Sequence, residues 1–149
     1  MPDPGPAAAA SAALAQADGA VHSDTGTVVN TEVFHGQPCL RLQLPCGDSA
    51  LVALHGAQVL SWVAGGCERL YLSPQAVFDG QAAIRGGIPL CFPQFNQRGP
   101  LAKHGFARNL PWQALAGAGS DQTVLRLTDN AQTRAWWPHA FAAELALTL

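Results

Sequence analysis
From Thr27 to Leu149 the chain never sustains one apolar pattern for long. TVVNTEVF (Thr27–Phe34), CLRLQL (Cys39–Leu44), SALVAL (Ser49–Leu54), AQVLSWV (Ala57–Val63), RLYLS (Arg69–Ser73), QTVLRLTD (Gln122–Asp129) and FAAELALTL (Phe141–Leu149) are short runs. HGQP, PCGD and GGCE punctuate them. CLRLQL alternates apolar with polar residues, the two-residue period of a half-buried strand. Short strands recurring at about 8–12 residues with turns between them predict an all-β sandwich or barrel. No long helical period is read outside the Ala-rich N-terminus, and no glycine-rich phosphate loop of the GxxxxGK[ST] kind is present. In the last run Phe141, Ala143, Leu145, Leu147 and Leu149 line one face, with Glu144 and Thr148 on the other. That run stops in mid-strand, so the polypeptide is expected to be incomplete.

Composition narrows the function. The 149 residues are 48% hydrophobic and 12% charged, with a net charge of −2. That is enough chain for one domain with a core. The charge predicts no broad attraction to nucleic acid or to an anionic membrane. Cys39, Cys46, Cys67 and Cys91 form no CxxC pair, which predicts reduced, mostly buried thiols and no metal site. Residues 1–24 read as a flexible Ala/Pro-rich tail, disordered or weakly structured, and residues 25–149 as the folded part. With no basic N-terminal region ahead of an apolar one and no long apolar segment, a cytoplasmic location is expected.

The stretch IRGGIPLCFPQFNQRGPLAKHGFARNLPW (Ile84–Trp112) is apolar yet carries Arg85, Arg98, Lys103, His104 and Arg108. Arg85 offers a planar fork of donors suited to phosphate or carboxylate, and Gly86-Gly87 lets backbone approach what it holds. The competing reading is an Arg85–Asp79 pair. His104 could donate to a sugar hydroxyl or ring oxygen, or simply bond a backbone carbonyl. Gln94 and Asn96 are donors and acceptors of the kind that read hydroxyl-rich ligands. Phe92, Phe95, Phe106 and Trp112 are either sugar-stacking faces or plain core. Four prolines, Pro89, Pro93, Pro100 and Pro111, stiffen the stretch.

HGAQVLSWV (His55–Val63), LYLSPQAVFDGQAAIRGGIPLCFPQF (Leu70–Phe95), KHGFARNLPW (Lys103–Trp112) and WWPHAFAAELALTL (Trp136–Leu149) together resemble the hexose-6-phosphate mutarotases, or glucose-6-phosphate 1-epimerases. These are a branch of the aldose 1-epimerase superfamily. The resemblance runs from about Thr27 to Leu149 and matches only the family's N-terminal half. It implies part of a β-supersandwich of the galactose mutarotase-like kind, with two large antiparallel sheets. It implies a small-molecule sugar phosphate as partner and no cofactor. Family members interconvert the α and β anomers of a phosphorylated aldose by acid–base ring opening. Carried over one at a time, Arg85 matches an arginine expected to bind substrate, through its phosphate. His104 matches a histidine lining the sugar pocket. Arg108 is a further substrate-binding candidate, or else holds its loop by pairing. Gln81 stands where the family often has a polar or basic contact. No catalytic residue is assigned here, because the family's catalytic histidine and glutamate belong to its C-terminal half. His139, in WPHAF, reads as structural, and Glu144 has no partner histidine. Asn96-Gln97 departs from the glycine that many relatives place after FPQF.

The chain is therefore expected to be the N-terminal portion of such an isomerase, inactive alone and self-associating through exposed sheet edges, with the whole protein a monomer. Two alternatives stand beside this. One is a non-catalytic sugar-phosphate binding module. The other is an aldose 1-epimerase acting on unphosphorylated sugars.

Overall fold
Alternating side chains build a five-stranded antiparallel sheet in chain order: β1 (Asn30–Phe34), β2 (Gln37–Gln43), β3 (Ser49–Ala53), β4 (Val59–Ala64) and β5 (Cys67–Glu68). A three-stranded antiparallel sheet follows, from β6 (Gln113–Ala114), β7 (Gln122–Thr128) and β8 (Ala142–Thr148). The computed structural model describes residues 30–116 and 119–149. The tail expected over residues 1–24 and the start of the first expected strand lie outside the described residues. Gly65 and Gly66, at φ +59 and +73, form the two-residue β4–β5 turn, where the left-handed conformation matches the twist of the strands.

The two sheets share a core. Leu40 and Leu42 of β2, Ala50 and Val52 of β3 and Val59 pack with Leu125 and Leu127 of β7, with Ala107 and Trp112 in the same cluster. Phe141, Ala143, Leu145, Leu147 and Leu149 lie against it, on the face their spacing predicts. Each fully buried leucine contributes roughly 1.5–3 kcal/mol relative to exposure. Glu144, on the outer face, pairs with Arg126, its neighbour across the β7–β8 ladder.

The other face of the first sheet is covered as well. Cys39, Leu51, Ala53 and Leu60 pack with Ile84, and Phe34, Leu72, Ala76 and Phe78 lie against them. Every residue of β3 is therefore buried. In β2 both Cys39 and Leu40 are buried. The alternation of CLRLQL predicts one wet face, but the segment running through Leu72 to Ile84 covers it.

Two expectations are corrected, and one short element is added. RLYLS is not a strand; only Leu72 makes an isolated bridge, to Gly86, and the short β5 precedes it. A helix, α1 (Ala131–Trp136), stands where none was read. Asn130 Oδ1 accepts the Thr133 N–H at 3.0 Å and Thr133 Oγ1 accepts the Asn130 N–H at 2.8 Å. This reciprocal cap starts a helix too short for its period to show in sequence. All four cysteines are free, but Cys46 and Cys67 are exposed, while Cys91 is half-buried and Cys39 buried. Among the described residues no helix is long and apolar enough to cross a membrane.

Candidate functional site
Arg85 lies in a segment with little regular structure, so other elements must hold it. Gln58, buried just ahead of β4, donates through Nε2 to the carbonyls of Ile84 at 2.8 Å and Gly86 at 2.5 Å, one on each side of Arg85. His55, also buried, donates from Nε2 to the Ala82 carbonyl at 2.9 Å. The Ser73 N–H reaches the Arg85 carbonyl at 3.0 Å, and the Ile88 N–H reaches Val59 O at 2.8 Å. Gly86 and Gly87 make room for backbone rather than for a ligand. A Cβ on Gly86 would lie 2.5 Å from Tyr71 O, and one on Gly87 would overlap Val59 O. Both glycines have positive φ, +108 and +61.

This clamp leaves the Arg85 side chain exposed, outside all three ion pairs found among the described residues. Asp79 does not pair with it. Its Oδ1 accepts the N–H groups of Ala82 and Gln81, each at 2.8 Å. Those two bonds hold the Asp79 carboxyl below its ordinary range.

The second half of the stretch is a loop closed on itself. Phe92 O accepts from the N–H groups of Phe106 at 3.0 Å and Ala107 at 3.2 Å. Gln94 Nε2 donates to the carbonyls of Asn96, Leu101 and Ala102, while its Oε1 accepts the Leu101 N–H at 3.0 Å. The Gln94 amide is thus committed to the loop, which corrects its reading as a ligand contact. Asn96 sits at φ +53. Asparagine tolerates that left-handed conformation better than most residues, so the loop forms without glycine there.

His104 is bound to Asn96 in both directions. The His104 N–H donates to Asn96 O at 3.0 Å, and the Asn96 N–H donates to His104 Nδ1 at 3.1 Å. A nitrogen that accepts an N–H carries no hydrogen, so the ring proton is on Nε2. Burial, then the charges of Arg108 and Lys103, push His104 below its ordinary value. With Nδ1 accepting, the ring is a neutral imidazole with one donor, Nε2–H. Phe95, exposed, stands edge-on to the ring at 5.3 Å.

Arg108 is bonded to its own loop. Its guanidinium donates to the Lys103 carbonyl at 3.0 Å, and its Nε is buried without a partner. Gln81 is exposed, and its carbonyl accepts from Asn109 Nδ2 at 2.8 Å. That bond ties the Arg85 segment to the 3-10 turn Ala107–Asn109 that follows His104. The structure thus joins the two segments that carry Arg85 and His104. A surface cavity of about 550 Å³ lies beside the segment that carries His104, bounded by Leu101, Phe106, Asn109 and Trp136; neither Arg85 nor His104 lines it.

Phe92, Phe106 and Trp112 are structural: the first two join Trp136, Trp137 and Phe141 in an aromatic cluster, and the Trp112 indole donates to Ala107 O at 2.9 Å. His139 lies against Trp137, ring centroids 4.6 Å apart and planes tilted by 55°. Sequence reasoning passed over His55, Gln58 and Asn109. The available signal was a glutamine inside the otherwise apolar run AQVLSWV. Among the described residues no group of three His, Cys, Asp or Glu is placed to hold a metal ion.

The aldose 1-epimerase family profile matches residues 38–149. An Escherichia coli (strain K12) protein named "Putative glucose-6-phosphate 1-epimerase" is 43% identical over 99 residues, covering 62% of this chain and 33% of its own. The crystal structure of a "putative mutarotase" from Salmonella typhimurium superposes with a TM-score of 0.69 at 33% identity, over 81% of this chain and 43% of that one. A galactose mutarotase related enzyme from Lactobacillus acidophilus shares the fold, with a TM-score of 0.61 at 20% identity, over 74% of this chain and 39% of that one. The chain spans about a third of the length of the curated relatives it matches. On its two antiparallel sheets and a profile match over most of its length, the chain belongs to the aldose 1-epimerase family.

Proposed function
We propose that this chain supplies the substrate-binding wall of a glucose-6-phosphate 1-epimerase. The observation that carries the reading is the exposed Arg85 side chain, whose backbone Gln58 holds on both sides and which lies outside every ion pair among the described residues. A fork of donors left unpaired is suited to a phosphate dianion. The uncharged His104, with its hydrogen on Nε2, is suited to donate to a sugar hydroxyl or ring oxygen. Arg108 is tied to its own loop by one bond to the Lys103 carbonyl, while Gln81 is held only through its backbone carbonyl and its exposed side chain is free to make a polar contact with substrate.

In the proposed reaction a carboxylate takes the proton of the anomeric hydroxyl while an acid protonates the ring oxygen. The ring C–O bond breaks, the C1–C2 bond rotates, and closure on the other carbonyl face gives the second anomer. No organic cofactor enters. The acid–base pair is assigned to residues outside these 149, so the chain alone binds and does not turn over.

Calorimetry with glucose 6-phosphate and with glucose tests this. The phosphate ester is expected to bind, and Arg85→Ala to weaken it about 10- to 100-fold, the worth of a charged hydrogen bond. Equal binding of both sugars would favour an unphosphorylated substrate instead. Anomer exchange catalysed by the 149-residue chain would refute the placement of the catalytic pair.

A further inference from the structure
The Cys91 thiol has no part in the reading above, yet its Sγ lies 3.1 Å from His104 Nδ1. The same nitrogen already accepts the Asn96 N–H at 3.1 Å. Two groups therefore converge on one lone pair, and only a thiol that donates is compatible with that N–H. A thiolate would need a hydrogen on Nδ1, which would then face the Asn96 N–H. The charged groups around the ring, Lys103 and Arg108, both disfavour a protonated imidazole. The thiol is half-buried, at the C-terminal end of the IRGGIPLC run.

We propose that Cys91 is a positioning residue for His104: its S–H shares Nδ1 with the Asn96 N–H and so keeps the ring hydrogen on Nε2. This rests on the proposed role of His104 as a sugar-facing donor. The thiol acts through the imidazole and touches no substrate itself.

Nitrogen–proton correlation spectra of the histidine rings across a pH titration test it in the unliganded chain. In the parent protein His104 is expected as the Nε2–H tautomer. Cys91→Ser keeps a hydroxyl donor and should leave the His104 titration unchanged. Cys91→Ala removes the donor that favours the neutral ring and should raise that titration by about half a unit, roughly threefold in proton affinity. Serine and alanine are both small, so a packing role alone would not separate them. An Nδ1–H tautomer in the parent protein overturns the proposal even if Cys91→Ala fails to fold. Equal titrations in the Ser and Ala variants also overturn it. None of these readouts needs a sugar, so their failure is distinct from a failure to bind glucose 6-phosphate.

Discussion

Gly56 and Gly66 allow a controlled test of what holds the candidate site together. They adopt nearly the same backbone conformation, φ +74 and +73. A Cβ on Gly66 would meet nothing within 4 Å, whereas one on Gly56 would lie 2.6 Å from Arg108 O and 3.0 Å from Arg108 Cα. Alanine at either position incurs the left-handed penalty, about 1 kcal/mol. Only at Gly56 must the His55–Ala57 turn also separate from the Arg108 turn. The Gly56 N–H to Leu110 O bond, 2.8 Å, crosses that seam, as does the Trp112 N–H to Leu54 O bond, also 2.8 Å. Weakening one such bond costs about 0.5–1.5 kcal/mol, and forcing packed atoms apart costs about 1–3 kcal/mol. Gly56→Ala should therefore destabilise by about 3 kcal/mol and Gly66→Ala by about 1. With a urea slope of about 1.5 kcal/mol/M, the midpoints fall by about 2 M and 0.7 M. Equilibrium unfolding followed by tryptophan fluorescence reads both. Midpoints within about 0.3 M of one another would refute the claim that close approach, rather than glycine's conformational freedom, sets the need for Gly56.

Gln58→Met should cost about 1–2 kcal/mol, because the carbonyls of Ile84 and Gly86 lose their donor while an unpartnered buried Oε1 is removed; it should also weaken glucose 6-phosphate binding, and unchanged calorimetry would show that the clamp does not present Arg85. An aromatic disulfide reagent at pH 8 should label Cys46 and Cys67 fast in the native chain and Cys39 only on unfolding, since burial pushes the Cys39 thiol up to about 11 and leaves about one part in a thousand as thiolate; fast labelling of Cys39 would contradict its burial. Asp79 and Asp129 are both held below the ordinary value of 3.8, Asp79 by the N–H groups of Ala82 and Gln81, Asp129 by the Phe141 N–H and then Arg134. Their contribution is present in full above that value and is lost as pH falls through the lower folded-state values, so Asp79→Asn should flatten the acid limb of a stability–pH curve, and an unaltered limb would count against the bonds assigned to it.

How much of this was legible in the sequence follows from the range of the interactions. The strands from β1 to β4, with β7 and β8, are written in local alternation and turn residues, and their positions agree with the runs read from sequence within a few residues. The second buried face of β2 and β3 is not local. It depends on Ile84, Phe78 and Leu72 returning over the sheet, and no window of neighbouring residues contains that. Helix α1 was missed because six residues are too few to show a period, although its cap, Asn130 with Thr133, was there to read. In the cationic stretch the residue types signalled a built loop, and Arg85 and His104 were singled out on that ground. Which polar groups face outward was not legible, because it depends on carbonyls that only the fold brings near Gln58, Gln94 and Asn109.

Those three side chains share a chemistry that explains the division of labour in the stretch. Each is a neutral amide, and each donates to the carbonyl of a segment that has no sheet partner. An aspartate at Arg85 could have ordered the same segment by an ion pair. A phosphate would then have to displace a carboxylate from the guanidinium before binding, and the pairing would weaken with salt and acid. An amide bound to a carbonyl does not titrate and does not compete for an anion. Asp79 accordingly accepts backbone N–H groups and Arg108 donates to the backbone of its own loop, and neither is paired with Arg85. On the proposed reading, neutral amides fix the backbone so that the guanidinium of Arg85 and the Nε2–H of His104 enter the encounter with substrate without a protein partner to displace. The same logic separates Gln58 from Arg85 experimentally: Gln58→Met alters stability and binding together, whereas Arg85→Ala alters binding alone.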